Sequence, residues 1–137
     1  MEVDRNGLEV LDREHSLRLL AMATLGRVGV TFGALPVILP VNFRLVNDLI
    51  VFRTGVGTKF DAATRNHIVA FEADDFEPVY HAGWSVVVTG MAREVTDPYE
   101  VAALSTLPIP RWAPEGNSRT VAISTDLVSG RRVGLAW

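Results

Sequence analysis

The chain contains no cysteine, which excludes disulfides and thiolate metal sites. It has no surplus of positive charge: 13 Lys and Arg against 16 Asp and Glu leave a net −3, so no basic field recruits nucleic acid. No apolar run approaches the roughly 18 residues of a membrane span. The opening MEVDRNGLEV also lacks the basic-then-apolar order of a secretory signal. A soluble cytoplasmic protein, with no membrane and no nucleic acid among its partners, is the expectation. His15, His67 and His81 stand apart, with no His-x-x-His or HExxH spacing to hold a metal. A GxSxG nucleophile turn is missing, as are the dinucleotide GxGxxG and the GxxxxGK[ST] phosphate loop. Without thiol, metal or triad the protein offers little reactivity of its own, so an enzymatic role would require a bound cofactor.

What is present makes one domain, spanning all 137 residues and 15.0 kDa. Apolar residues reach 48%, high for so small a chain, and the excess suggests burial against a second copy. Residues 12–23 (DREHSLRLLAMA) read as a helix capped by Asp12, with Leu17, Leu20 and Ala21 on one face. A meander follows over 27–32, 37–45 and 49–54, with a turn at 46–48; Pro40 implies a bulge or an edge in its second strand. Residues 67–72 are a further strand, and 72–77, with Glu72, Asp74, Asp75 and Glu77, a solvated strand end or a cation site. The longest strand is predicted over 84–95. Trp84, Val86 and Val88 give it one apolar face and Val87 and Met91 another, which suits a barrel interior on one side and a subunit interface on the other. Gly90 suggests a bulge there. Asp97 and Pro98 start a short helix reaching about residue 106. The proline-rich 107–116 is a stiff connector, a ligand of the PxxP kind, or a lid in which Trp112 covers a ligand. Strands over 119–125 and 131–137, separated by 126–130, close the sheet. Short strands with helices only at crossovers describe a mainly β fold, a small closed or split antiparallel barrel. Its ligands belong at a mouth or between subunits.

The stretch 49–66 (LIVFRTGVGTKFDAATRN) organises the rest: an apolar strand, a glycine-rich turn, and the start of a helix at Lys59. Gly55 and Gly57 allow close approach of backbone to a ligand. Thr58 is a good N-cap, and Asp61 is a shorter variant of the capping-box acid. Lys59 stands in the first turn, facing the positive end of the helix dipole, which costs a few tenths of a kcal/mol unless an anion sits there too. Arg53 adds a second cation and Thr54 a second hydroxyl, a set suited to phosphate. The same residues also make an ordinary strand-to-helix connection with a surface lysine.

PVNF (40–43), VFRTGVGTKF (51–60), GWSVVVTGMA (83–92) and SGRRV (129–133) together resemble the pyridoxamine 5′-phosphate oxidase-like family of flavin-binding split barrels. The resemblance implies a homodimer with two flavin mononucleotides (FMN) in grooves of the interface. Arg53, Thr54, Thr58 and Lys59 would hold the phosphate, and Val41, Asn42 and Phe43 would border the isoalloxazine. Trp84 and Ser85 would line the cofactor from the neighbouring subunit. Arg131 and Arg132 match positions of cofactor or substrate contacts, and Trp137 would cover the ring. Pyridoxamine 5′-phosphate oxidases proper are longer and grip substrate with an Arg-x-His signature near the C-terminus. Here no histidine follows His81, so that grip has no counterpart. The implied activity is hydride transfer between flavin N5 and a small organic substrate at the dimer interface. A deazaflavin coenzyme is the alternative cofactor, its acidic tail requiring Arg111, Arg119, Arg131 and Arg132 to converge. A non-catalytic protein that holds a flavin, haem or other small molecule is the alternative function.

Overall fold

The computed structural model describes residues 2–110 and 118–134, with Lys59 through its backbone alone. Arg111, Trp112 and Trp137, and with them the proposed lid and ring cover, lie outside the described residues. A short hairpin of β1 (Glu2–Val3) and β2 (Glu9–Leu11) precedes helix α1 (Arg13–Met22). Next come β3 (Leu25–Phe32), β4 (Leu35–Asn42), β5 (Arg44–Val46) and β6 (Leu49–Gly55). Helix α2 (Lys59–Ala63) leads to the long pair β7 (His67–Glu77) and β8 (Ala82–Glu94). Helix α3 (Pro98–Ser105), β9 (Ser118–Ser124) and β10 (Leu127–Val133) complete the order.

All strand pairs among the described residues are antiparallel, and they close a circuit: β3 pairs β4, β5 pairs β6, β6 pairs β9, β9 pairs β8, β8 pairs β7, and β7 returns to β3. The remaining link, from β4 to β5, is covalent. Phe43 interrupts what reads in sequence as one strand over 37–45. Its N–H leaves the ladder to donate to the Thr24 carbonyl at 3.0 Å, and its ring packs edge-on against Phe71 at 4.7 Å. Alternating apolar residues cannot announce such a corner, because the pattern continues unbroken across it. Pro40 sits in β4 at the end of the strand order, the edge position expected of a strand proline.

β8 is the spine. It runs beside β7 along its whole length, from Glu77↔Ala82 to His67↔Ala92. On its other side β10 pairs as far as Thr89, and β9 takes over at Ala92. Gly90 lies at that exchange, and the register with β7 passes through it without the expected bulge. The glycine serves close approach instead, since a Cβ there would overlap the Ser124 carbonyl. Trp84, Val86, Val88 and Ala92 are buried inside, whereas Val87 and Met91 are 42% and 40% exposed on the outer face.

Other expectations need correction. β7 continues through the carboxylate segment 72–77, because each of its residues finds a partner on β8. Glu72 and Asp74 there flank Arg27, at 3.0 and 3.4 Å. Among the described residues no acidic cluster forms a metal site. β10 begins at Leu127, so most of the supposed separator is ladder; Gly130 lets Ser16 of α1 press against it. The buried face of α1 passes through Ser16, Leu19 and Leu20, with Ala21 exposed. α2 stops at Ala63, short of residue 66, and Asn66 turns at φ 58°.

The core fills the barrel with Phe43, Phe52, Phe71, Val28, Val86 and Val121, plugged at one opening by Leu19 and Leu20. A smaller cluster of Val51, Val95, Leu104, Ile109 and Ala122 seats α3 outside it. No helix among the described residues is long and apolar enough to cross a membrane.

Candidate functional site

The glycine-rich turn after β6 is held from within by Asp61. Thr58 caps α2, its hydroxyl accepting from the Asp61 N–H at 2.9 Å and donating to the Gly55 carbonyl at 3.1 Å. The Asp61 carboxylate is fully buried. It accepts the Thr54 hydroxyl at 3.2 Å, the Gly57 N–H at 2.9 Å and the Arg119 Nε–H at 3.2 Å. A carboxylate out of water is tolerated only when so satisfied. Sequence reasoning read Asp61 as a local capping acid, but it reaches the N–H of Gly57, one residue before the cap, and Arg119 on β9. Arg119 in turn clamps both oxygens of Glu94 at 3.0 Å, and that contact, with Asp61 beside it, raises the guanidinium pKa. Thr54 is itself buried, its hydroxyl turned to Asp61.

Arg53 lies at the same end of β6, where its guanidinium donates to the carbonyls of Leu104 at 2.9 Å and Ile109 at 3.4 Å. Cations suit the C-terminal end of a helix, here that of α3. Arg44 donates to the Pro108 carbonyl at 3.1 Å, and Asn42 to that of Pro110 at 3.4 Å. One short segment, 107–110, is thus tied across the corner between β4 and β5. Of the residues expected along a ring, Val41 and Phe43 turn their side chains into the core, and Asn42 keeps its amide partly exposed.

Trp84, Ser85 and Arg131 stand elsewhere. Ser85 pairs Arg131 and Trp84 pairs Arg132 across β8 and β10. Arg131 donates to Asp4 at 3.0 Å, and Arg132 grips Glu9 at 2.6 Å. The Leu8 backbone N–H, then Asn6 and Arg131, hold the Asp4 carboxyl below its usual range; the Arg132 hydrogen bond does the same for Glu9. Trp84 is 5% exposed, and its indole N–H has no hydrogen-bond partner among the described residues. Trp84 and Glu94 are ten residues apart on β8, about 33 Å of extended strand. Trp84 nonetheless shares the barrel core with Val41 and Phe43; Ser85 and Arg131 lie toward one end of β8, and Glu94, with Arg119 and Asp61, at the other. Arg119 likewise lies far from Arg131 and Arg132.

A family model described as pyridoxamine 5′-phosphate oxidase matches residues 12–132. The chain belongs to the pyridoxamine 5′-phosphate oxidase-like family. Among curated members it is 43% identical over 128 residues to the uncharacterized protein Rv0080 of Mycobacterium tuberculosis, covering 90% of this chain and 84% of that one. Among solved members, the FAD binding protein of Mycobacterium smegmatis is 33% identical and superposes with a TM-score of 0.83, over 93% of this chain and all of that one. A Corynebacterium glutamicum structure is 34% identical with a TM-score of 0.82, over 93% of this chain and 99% of its own. These likenesses give the β architecture its name, the split barrel of this oxidase-like family. The residues that sequence reasoning missed, Asp61 as a hub and Arg119 as its partner, lie inside the matched span. The Thr58-to-Asp61 spacing was their only local signal.

Proposed function

We propose that this chain is a flavin-dependent oxidoreductase acting as a homodimer, with FMN, or the FMN half of FAD, in a groove shared by two subunits. The observation that carries the reading is the likeness to the FAD binding protein of Mycobacterium smegmatis across 93% of the chain. The donor chemistry fits such a group: Arg53 and Lys59 bring positive charge to one glycine-containing turn, where charge-assisted bonds to phosphate form. In a homodimer, Trp84 and Ser85 of one copy would border the flavin whose phosphate is held by residues 53–59 of the other. The exposed Val87 and Met91 offer apolar surface for that pairing.

When bound, a flavin supplies hydride transfer at its N5. The chain's part is placement and exclusion of water. Arg53 and Lys59 bind the phosphate, with Thr58 at the turn, and Asn42 gives a polar contact beside β4. The 107–110 segment, tied by Arg44, covers the corner. A small organic substrate would stack on the open ring face and be held in reacting distance.

The test is a visible absorption spectrum of the purified protein, followed by mass identification of what acid releases. Released FMN or FAD, with bleaching on addition of an electron donor and recovery on addition of an acceptor, is expected. A colourless protein that binds neither added nucleotide overturns the reading, and titration with a deazaflavin coenzyme follows. Bound flavin that no donor reduces favours a carrier in place of an enzyme.

A further inference from the structure

We infer that Asp61 is the positioning residue of the cofactor loop: it sets the geometry in which a flavin phosphate is gripped, without touching the phosphate. The inference rests on the reading of residues 53–59 as the phosphate site. Asp61 gathers three parts of the chain onto one carboxylate: the end of β6 through Thr54, the turn through Gly57, and β9 through Arg119, where the two strands also pair. Gly57 turns at φ 83°, a conformation with little steric preference of its own to keep the turn closed. The buried carboxylate supplies that preference.

Its charge is offset where it stands. Arg119 lies between Asp61 and Glu94, and Arg65 approaches the same Asp61 oxygen at 4.0 Å. The loop therefore carries an internal anion that is already paired. The groups that converge on Asp61 are all donors, a hydroxyl, a backbone N–H and a guanidinium, and an ionised carboxylate meets all of them. The isosteric amide of asparagine can still accept from Gly57 and Arg119 and donate to the Thr54 hydroxyl, but it removes the charge that Arg119 is paired with.

A contact that merely held the barrel together would serve every flavin equally. A contact that sets the phosphate grip is felt only by a phosphorylated ligand. Riboflavin and FMN differ by that phosphate, so the ratio of their dissociation constants isolates it. We expect the FMN affinity of Asp61→Asn to fall about tenfold or more, with riboflavin affinity within about twofold of the parent. Arg119→Gln, which withdraws the ion pair and leaves the carboxylate, is expected to shift the same ratio in the same direction by less. It also keeps the question open to test if Asp61→Asn does not fold. Equal losses for both flavins, or no loss for either, overturn the inference while leaving flavin binding intact. A parent protein that gains nothing from the phosphate overturns the phosphate-site reading first, and this inference with it.

Discussion

The ends of β8 carry similar side chains in opposite arrangements. Near Glu94, acid and base converge on one turn, and Asp61, Arg119 and Glu94 satisfy one another inside a single chain. Near Trp84, each arginine is pinned separately to the N-terminal hairpin, Arg131 to Asp4 and Arg132 to Glu9. An indole N–H is left there without a partner among the described residues. The first end is a finished network able to hold a shape before any ligand arrives. The second is tidy in charge but holds one buried indole N–H with no hydrogen-bond partner among the described residues.

The largest effect expected lies between these ends. A Cβ at Gly90 meets the Ser124 backbone, which cannot yield as a flexible side chain would. Gly90→Ala should cost about 3 kcal/mol, read as a lower denaturation midpoint in urea. An unchanged midpoint would mean that β8 and β9 part without penalty, and the ends would no longer be coupled. Next comes the phosphate end: Lys59→Ala should lose about 2 kcal/mol of FMN affinity. Arg131→Ala should lose less, since its guanidinium already serves Asp4. Equal losses from the two would erase the distinction between an anchoring end and a bordering one.

A smaller effect concerns the outer face. Val87→Asp should move sedimentation from dimer toward monomer and weaken flavin binding in step, because Trp84 and Ser85 then lose the neighbour they serve. A change in mass with full flavin affinity would place the whole cofactor contact in one chain. The smallest effect is with pH. Burial, and then the neighbouring Asp74, push Glu72 up from 4.5 to about 7, against the opposing pull of Arg27. The folded protein thus holds this proton more tightly than the unfolded chain. The stabilisation is full below about pH 4.5 and fades as pH rises through about 7. Thermal midpoints should therefore decline across that window, and Glu72→Gln should flatten the decline.

What was legible in the sequence was local. Thr58, Asp97 with Pro98, and Asp12 marked helix starts because a cap needs only its own next few residues. The alternation of β8 was legible too, although its second face is exposed in the single chain. What escaped depends on partners distant in the chain. Ser129 and Gly130 read as part of a separator, yet the ladder with β8 makes all of 127–130 strand. Asp61 looked like a cap because Arg119 is 58 residues away. The family motifs placed the candidate contacts in order along the chain. They gave no sign that Val41 and Phe43 face inward, since an apolar residue looks the same from either side of a sheet.

The corner at Phe43 bears on how this barrel can be taken apart. Every other seam of the circuit is a ladder that shares its load among several hydrogen bonds. The seam from β4 to β5 is the chain itself, steadied by the bond from the Phe43 N–H to Thr24. A nick in the turn at Asn47 and Asp48 would leave that seam whole, because β5 and β6 remain laddered on either side of the cut. A nick at Phe43 would cut the covalent link itself, leaving that seam to the bond with Thr24 and to the 107–110 segment held by Asn42 and Arg44. New termini for a permuted chain, or an inserted domain, belong at the first place and not the second.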